Sequence, residues 1–309
     1  MLTANGVVPK EGPFLEAAEH FRRLAEELSA FPPNGQPAAP GSRAELDAAD
    51  RSFDGPWGRA TAELLREPAA RLILAIEYLR GLAALTEADR VTVGIVPMIR
   101  PALATFGHLY YLFDPEIDVR ERVRRRFNLR LASLVEELSI TRILGSEDYE
   151  RTAKEILDIR WTATKLGFDY TTRKRRKGQK QPSARYLGHP GPSEGQIVAG
   201  VLQPMNDTFG PAVYRLTSAV THAQMHGLKP FLHDPVATTE ADVVTAQIGM
   251  TLRMFTALTG SVVYAAHVAT NRVAGHFGWD TTSWATEAEA ALAAWDGWLN
   301  AEPLDAPVG

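Results

Sequence analysis

The sequence predicts an all-α, multi-helix bundle, and three observations carry that expectation. Apolar residues recur at three- and four-residue spacing over most of the chain, the period of a helix with one buried face. Proline, glycine and Ser/Thr/Asp signals sit where those stretches should begin and stop. Alternation of period two is absent apart from a weak run at Val91–Val96. Counting the segments gives about 9–10 helices and one long basic loop near 167–193.

Pro13 occupies a first-turn position, and Phe14 to Phe31 continue with helical spacing. FPPNGQPAAPGS (31–42) is a Pro/Gly-rich linker. Helices are expected at 55–66, 68–86 and 88–113, with Pro97 and Pro101 delaying or kinking the last before Asp114-Pro115 ends it. Residues 117–144 make the longest charged helix, stopped by Gly145, and another helix covers 147–166. Arg120, Arg122, Arg124, Arg125 and Arg126 are matched by Glu116, Asp118 and Glu121, which reads as a solvated face. The segment 167–193 has no apolar period. It carries the basic run from Arg173 to Lys177 between Tyr170 and Tyr186 and reads as an exposed loop. Helices follow at 193–202, 208–227, 239–275 and 284–299, with Thr282 or Ser283 as the last cap. The expected organisation is an N-terminal helix and linker (1–42), a main helical domain (43–300) and a tail (301–309).

With 309 residues, 45% of them hydrophobic, the chain can bury a sizeable core. A net charge of -4 leaves no global attraction for polyanions, so phosphate or nucleic acid would need a local patch. The absence of cysteine excludes disulfide frameworks, thiolate zinc sites, iron–sulfur clusters and a Cys nucleophile. The N-terminus lacks a leader pattern. The most apolar stretch, Met254 to Thr270, is short and interrupted by polar residues, as in a core helix rather than a membrane span. These features point to a cytoplasmic protein with no membrane partner, and the Ala-, Leu- and Arg-rich composition to a bacterial one.

The most informative text is PAVYRLTSAVTHAQMHGL (211–228). Arg215 and His222, seven apart, return to one helix face. Tyr214, Ser218, His222 and His226 form an i,i+4 stripe beside them. Imidazole carries protons near neutral pH, and guanidinium holds an oxyanion. The alternative for these groups is ordinary buried hydrogen bonding, or a helix-end cap for His226. A second stripe, Arg253, Thr256, Tyr264, His267 and Asn271, lies on one face of the 239–275 helix with Gly260 leaving space. Either it closes an interhelical network or it lines a pocket facing the first stripe. Near residue 100, Arg100, Gly107 and Tyr111 share a face. With no carboxylate between Asp89 and Asp114, the partner of Arg100 must come from elsewhere or from a ligand.

His222-x-x-x-His226, followed by His233-Asp234, has the spacing of two ligands on one turn. Position 223 is Ala, however, and no Glu-x-x-His pair occurs, so neither metal nor cofactor is expected. No glycine-rich phosphate loop or dinucleotide fingerprint is present.

IRPALATFGHLYYLFDPEIDVRERV (99–123) and VYRLTSAVTHAQMHGL (213–228) are similar to a group of uncharacterised actinobacterial helical proteins. The shared pattern is an arginine-led helix, then a Tyr-x-x-x-Ser-x-x-x-His helix. The second segment also resembles the HEPN superfamily, whose ribonucleases carry Arg, four to six residues, then His. Arg215 and His222 have six between them. The resemblance spans about 40 residues, with Leu216 where a polar residue usually follows the arginine and Ala104 and Thr105 near the place of a partner-helix acid. It implies metal-independent RNA cleavage by Arg215 and His222 at a dimer groove.

The leading expectation is a cofactor-independent acid/base enzyme (isomerase, cyclase or lyase) acting on a small hydrophobic, anionic molecule of specialised metabolism. His222, Arg215, Tyr214, Ser218 and His267 are its candidate catalytic residues. Arg100, Tyr111, Arg253, Tyr264, Asn271 and His226 are candidates for holding the substrate. The alternatives are the HEPN-like endoribonuclease, with RNA as partner and a homodimer as its form, and a non-catalytic ligand-binding or regulatory protein.

Overall fold

Local signals place most of the helices. In the computed structural model, which describes residues 12–31, 38–50, 57–88, 93–145, 147–173, 184–237 and 244–301, Pro13 opens α1 (Pro13–Ala30). The side chain of Ser42 accepts from the Glu45 N–H and starts α2 (Arg43–Ala49). After α3 (Trp57–Glu87), a 3-10 turn at Val93–Ile95 leads into α4 (Val96–Leu112), whose Pro97 falls in the first turn. Asp118 caps α5 (Val119–Leu144), and Gly145, at φ 61°, ends it. Then come α6 (Asp148–Lys165), a hairpin of β1 (Tyr170–Arg173) with β2 (Ala184–Leu187), and α7 (Glu194–Leu202), started by a Ser193–Gln196 capping box. Next are α8 (Phe209–Thr221), the short α9 (Met225–Leu228), and a second antiparallel hairpin of β3 (Leu232–Ala237) with β4 (Val244–Ile248). The fold ends with α10 (Leu252–Phe277) and α11 (Thr282–Asn300).

The all-α expectation holds: eleven α-helices and two two-stranded hairpins make up the described residues. No helix among them is long and apolar enough to cross a membrane.

The hydrophobic residues divide into two clusters. The larger joins α1, the C-terminal part of α3, α4, α7, α8, α10 and α11, with Phe21, Leu79, Phe106, Val201, Phe255, Val262 and Trp284 all nearly or fully inaccessible. The smaller joins the start of α3 to α5, α6 and β2 through Trp57, Leu64, Phe127, Leu131 and Leu187. Helix α3 spans both clusters, with Leu64 in one, Leu72 in the other and the buried Pro68 between them. Burial on both sides outweighs the ladder bond that Pro68 cannot make. That is why the two helices expected at 55–66 and 68–86 are one.

Other boundaries differ for physical reasons. The helix expected over 239–275 begins only at 252, where Thr251 Oγ1 accepts from the Met254 N–H at 3.2 Å. The β-branched Val244, Thr245 and Ile248 before it pair as a strand instead. The segment 167–193 contains the β1–β2 hairpin. The basic residues Lys174 to Lys177 lie outside the described residues. Helix α11 starts at Thr282, so neither Thr282 nor Ser283 is its cap; Thr281 holds that position without a side-chain bond.

The arginines of α5 correct another expectation: most of them are structural ties rather than a solvated face. Arg122 is fully buried, with NH1 3.2 Å from Asp47 Oδ2 and NH2 donating to the Ile117 carbonyl at 3.1 Å. Arg124 is 7% exposed and reaches Glu121 and the Leu187 and His189 carbonyls. Arg126 pairs with Glu63 on α3 at 2.7 Å. Glu121 is a neighbour on α5 itself, but Asp47, Glu63 and the Leu187 and His189 carbonyls sit on other parts of the chain, information that a local charge count lacks.

His276 of α10 completes the buried cluster. Its Nε2 lies 3.4 Å from Asp47 Oδ2 but lacks hydrogen-bond alignment. Burial, together with Arg122 and Arg43, pushes this imidazole down to about 3, so it sits there neutral. Burial raises Asp47 to about 6 despite the opposing pull of Arg122 and Arg43.

Two stability predictions follow from these buried groups. Arg122→Met should lower the unfolding free energy in urea by about 3–5 kcal/mol, because Asp47 is left buried without its cation. Adding Asp47→Leu should recover most of the loss, and a single variant as stable as the parent would refute the pairing. His108 on α4 is also pushed down, to about 3 from 6.5, by burial and by Arg71. A depressed folded pKa gives stability that is complete above the unfolded value and lost as pH falls. Between pH 6.5 and about 3, His108 should therefore remove about 1.4 kcal/mol per pH unit. His108→Gln should flatten that acid limb, as read by urea melts across the same range.

Candidate functional site

Arg100 lies on α4, a largely apolar helix with no carboxylate, and a permanent charge there needs partners. They come from two other helices. Nε and NH2 of Arg100 donate to Glu194 Oε1 at 3.0 and 2.9 Å. NH2 also reaches Tyr214 OH at 3.3 Å, and NH1 reaches Ser218 Oγ at 3.4 Å and His222 Nε2 at 3.3 Å. The guanidinium carbon stands 5.2 Å from the Tyr214 ring centroid.

Close helix approaches make this meeting geometric. A Cβ on Gly107 would lie 2.8 Å from Ile197 Cγ2, so α7 rests directly on the α4 backbone. A Cβ on Gly210 would lie 2.8 Å from Ala199 Cα, which brings α8 equally close to α7. Glu194 occupies the first turn of α7, where a carboxylate also favours the positive end of the helix. Tyr214, Ser218 and His222 are the i,i+4 stripe of α8, facing α4.

His222 is the C-cap of that helix, not an interior residue. The His222, Ala223 and Gln224 N–H groups bond back to Ser218, Val220 and Ala219 at 3.0, 2.9 and 2.8 Å, a Schellman-type ending. Ala223 takes φ 51°, the one positive φ at a non-glycine residue among those described. Left-handed backbone costs a residue with Cβ about 1–2 kcal/mol, so the chain is held under strain immediately after His222. This break corrects the continuous helix expected over 208–227. It carries His226 onto α9, exposed and off the stripe.

The arrangement is partly open. Side-chain exposure is 22% for Arg100 and 39% for Glu194, and His222 and Arg215 are exposed. Burial and the Glu194 carboxylate raise the Tyr214 phenol above its usual range, so it acts as a protonated donor or acceptor at neutral pH. With the ring proton on Nδ1, His222 Nε2 accepts from Arg100 and faces the same space as Tyr214 OH and Ser218 Oγ. The cluster thus offers a proton acceptor, two hydroxyls and a cation whose strongest contact is already a carboxylate.

The remaining candidates lie elsewhere. Arg215 stands one position beyond Tyr214, turned to solvent, and no ion pair or hydrogen bond holds it among the described residues. On α10, His267 Nε2 meets Asn271 Nδ2 at 3.3 Å, while His267 Nδ1 and Asn271 Oδ1 are buried without partners. Burial lowers the His267 imidazole, and the charge feeling it from across the interface is Glu289 on α11, not a group of α8. Tyr264 is half-buried with its phenol raised by burial and by Tyr110. Arg253 is exposed at the start of α10. Tyr111 lies under Arg125, 4.4 Å from ring centroid to guanidinium. The expected meeting of the α8 and α10 stripes is not seen: Tyr264 is influenced by Tyr110 on α4 and His267 by Glu289 on α11, while Thr256 and Gly260 face the first turns of α8, away from Tyr214, Ser218 and His222. Residues on one face of a helix share direction, but only packing decides which neighbour they meet.

Glu194 was not among the candidates. Its signal was indirect: Arg100 required a carboxylate from outside its own segment, and Glu194 reads locally as an ordinary first-turn acid. No three His, Asp or Glu side chains gather as a metal site among the described residues. His233 and Asp234 have no described side chains. No family model, curated protein or solved structure matches this chain.

Glu194 holds Arg100 as a bound anion would, which yields a test. In Glu194→Gln the guanidinium loses its competing charge, so added phosphate should raise the melting temperature more than it does in the parent. An equal or smaller rise would show that Arg100 does not face an anion-accessible space.

Proposed function

We propose that the chain is a general acid–base enzyme acting on a small anionic molecule, with His222 as the proton carrier. The observation that carries this reading is the convergence of Glu194, Tyr214, Ser218 and His222 on Arg100, from helices far apart in sequence. In this reading Arg100 holds the anionic group of the substrate, partly exchanging Glu194 for it. His222 removes or delivers the proton, and Tyr214 or Ser218 bonds the oxygen on which charge develops. Glu194 positions Arg100 and does not touch the reacting atoms. Isomerisation, elimination and cyclisation all use such a proton transfer without further chemistry from the protein.

A second reading, RNA cleavage, is favoured by one specific feature: Arg215 and His222 are both exposed, as a polymeric substrate requires. There His222 would activate the ribose hydroxyl and Arg215 or Arg100 would hold the phosphate.

Incubation with a panel of carboxylate and phosphate metabolites, read by mass spectrometry, separates these. The small-molecule reading expects a product whose formation falls at least about 100-fold in His222→Ala, with the circular dichroism spectrum unchanged. Turnover that survives in His222→Ala, or no product across the panel, would count against it. Shortening of total RNA by the parent but not by His222→Ala would favour the second reading instead.

A further inference from the structure

A cavity of about 650 Å³ opens at the other end of α8, where its first turns meet α10 and the end of α11. That is the size range of sites for drug-sized molecules. Its walls are largely apolar: Phe209, Leu292, Trp295 and, at the rim, the exposed Met205 and Leu299. Trp295 is a fixed wall. It is 3% exposed, its Nε1 donates to Thr259 Oγ1 at 2.8 Å, and it lies so close to α10 that a Cβ on Gly260 would sit 2.8 Å from its ring.

One polar group of the lining lacks a partner and another lacks a cation. Thr256 is 3% exposed and its Oγ1 makes no hydrogen bond. Its neighbours Thr259 and Ser261 bond to the carbonyls of Phe255 and Leu258, the usual solution for a hydroxyl on a buried helix. Asp296 at the mouth touches only the Asn300 amide, at 3.1 Å, and no cation pairs with it among the described residues. An apolar slot with a rigid indole wall, an unused hydroxyl in its floor and a lone carboxylate at its mouth complements one class of molecule. We infer that this cavity binds an aromatic or polycyclic amine, with the ring system against Trp295 and the ammonium group at Asp296. The site is separate from the Arg100 cluster and does not depend on the chemistry proposed there.

Isothermal calorimetry on the full chain tests this with naphthylethylamine, its neutral analogue naphthylethanol and the anion naphthylacetate. The amine should bind saturably and about fivefold tighter than the alcohol, with the acetate weakest, as expected for one solvent-facing ion pair. Asp296→Asn should bring the amine to the level of the alcohol and leave the alcohol unchanged. Ala212→Trp, placed at an exposed lining position, should fill the slot and abolish both. Absence of saturable binding by the amine, equal affinity for all three probes, or indifference to both variants would overturn the proposal. Binding that appears only after residues 302–309 are removed would assign the cavity to that segment and overturn it as well.

Discussion

A permanent cation on an apolar helix constrains everything around the candidate site. Arg100 cannot be neutralised by its own segment, and burying it without partners would cost far more than the fold can spare. The solution brings the first turn of α7 and one face of α8 onto α4. Glycines at 107 and 210 permit the approach, which neither helix could make with a side chain at those points. The polar cluster and the local packing are one feature: whatever positions Arg100 also positions His222.

The same logic recurs at the other charged core of the molecule. Asp47 on α2, Arg122 on α5 and His276 on α10 join three elements through one carboxylate oxygen. There the enclosure is complete and burial raises the Asp47 carboxyl, so this cluster fixes geometry and offers nothing to solvent. The Arg100 cluster differs in being partly open, with its imidazole exposed at a helix end. That contrast separates a structural charge network from one that can meet a ligand.

Much of the helical framework was legible because its signals are local. Pro13 and Gly145 mark helix ends by chemistry that needs no knowledge of neighbours. The α8 stripe was legible for the same reason, since i,i+4 spacing alone sets which side chains stand together. Three features were not. The helix break at His222 relies on Ala223 adopting a left-handed conformation where glycine is usual, so no residue type announces it. The hairpin before α10 was hidden by an apolar run that suits a strand and a buried helix equally well. The burial of Arg122, and the direction in which His267 and Asn271 face, depend on partners remote in the chain. Glu194 lies between these cases: the need for it was readable at Arg100, but its position was not.

The proposed function rests on the contact between Arg100 and His222, in which Nε2 of the ring accepts from the guanidinium. Nitrogen-15 NMR of histidine-labelled protein reads this directly, because the two ring nitrogens differ in shift according to which carries the proton. The account predicts that neutral His222 bears its proton on Nδ1, leaving Nε2 free to accept from the guanidinium, and that Arg100→Met yields a mixture of tautomers. A proton on Nε2 of His222 in the parent protein would contradict it.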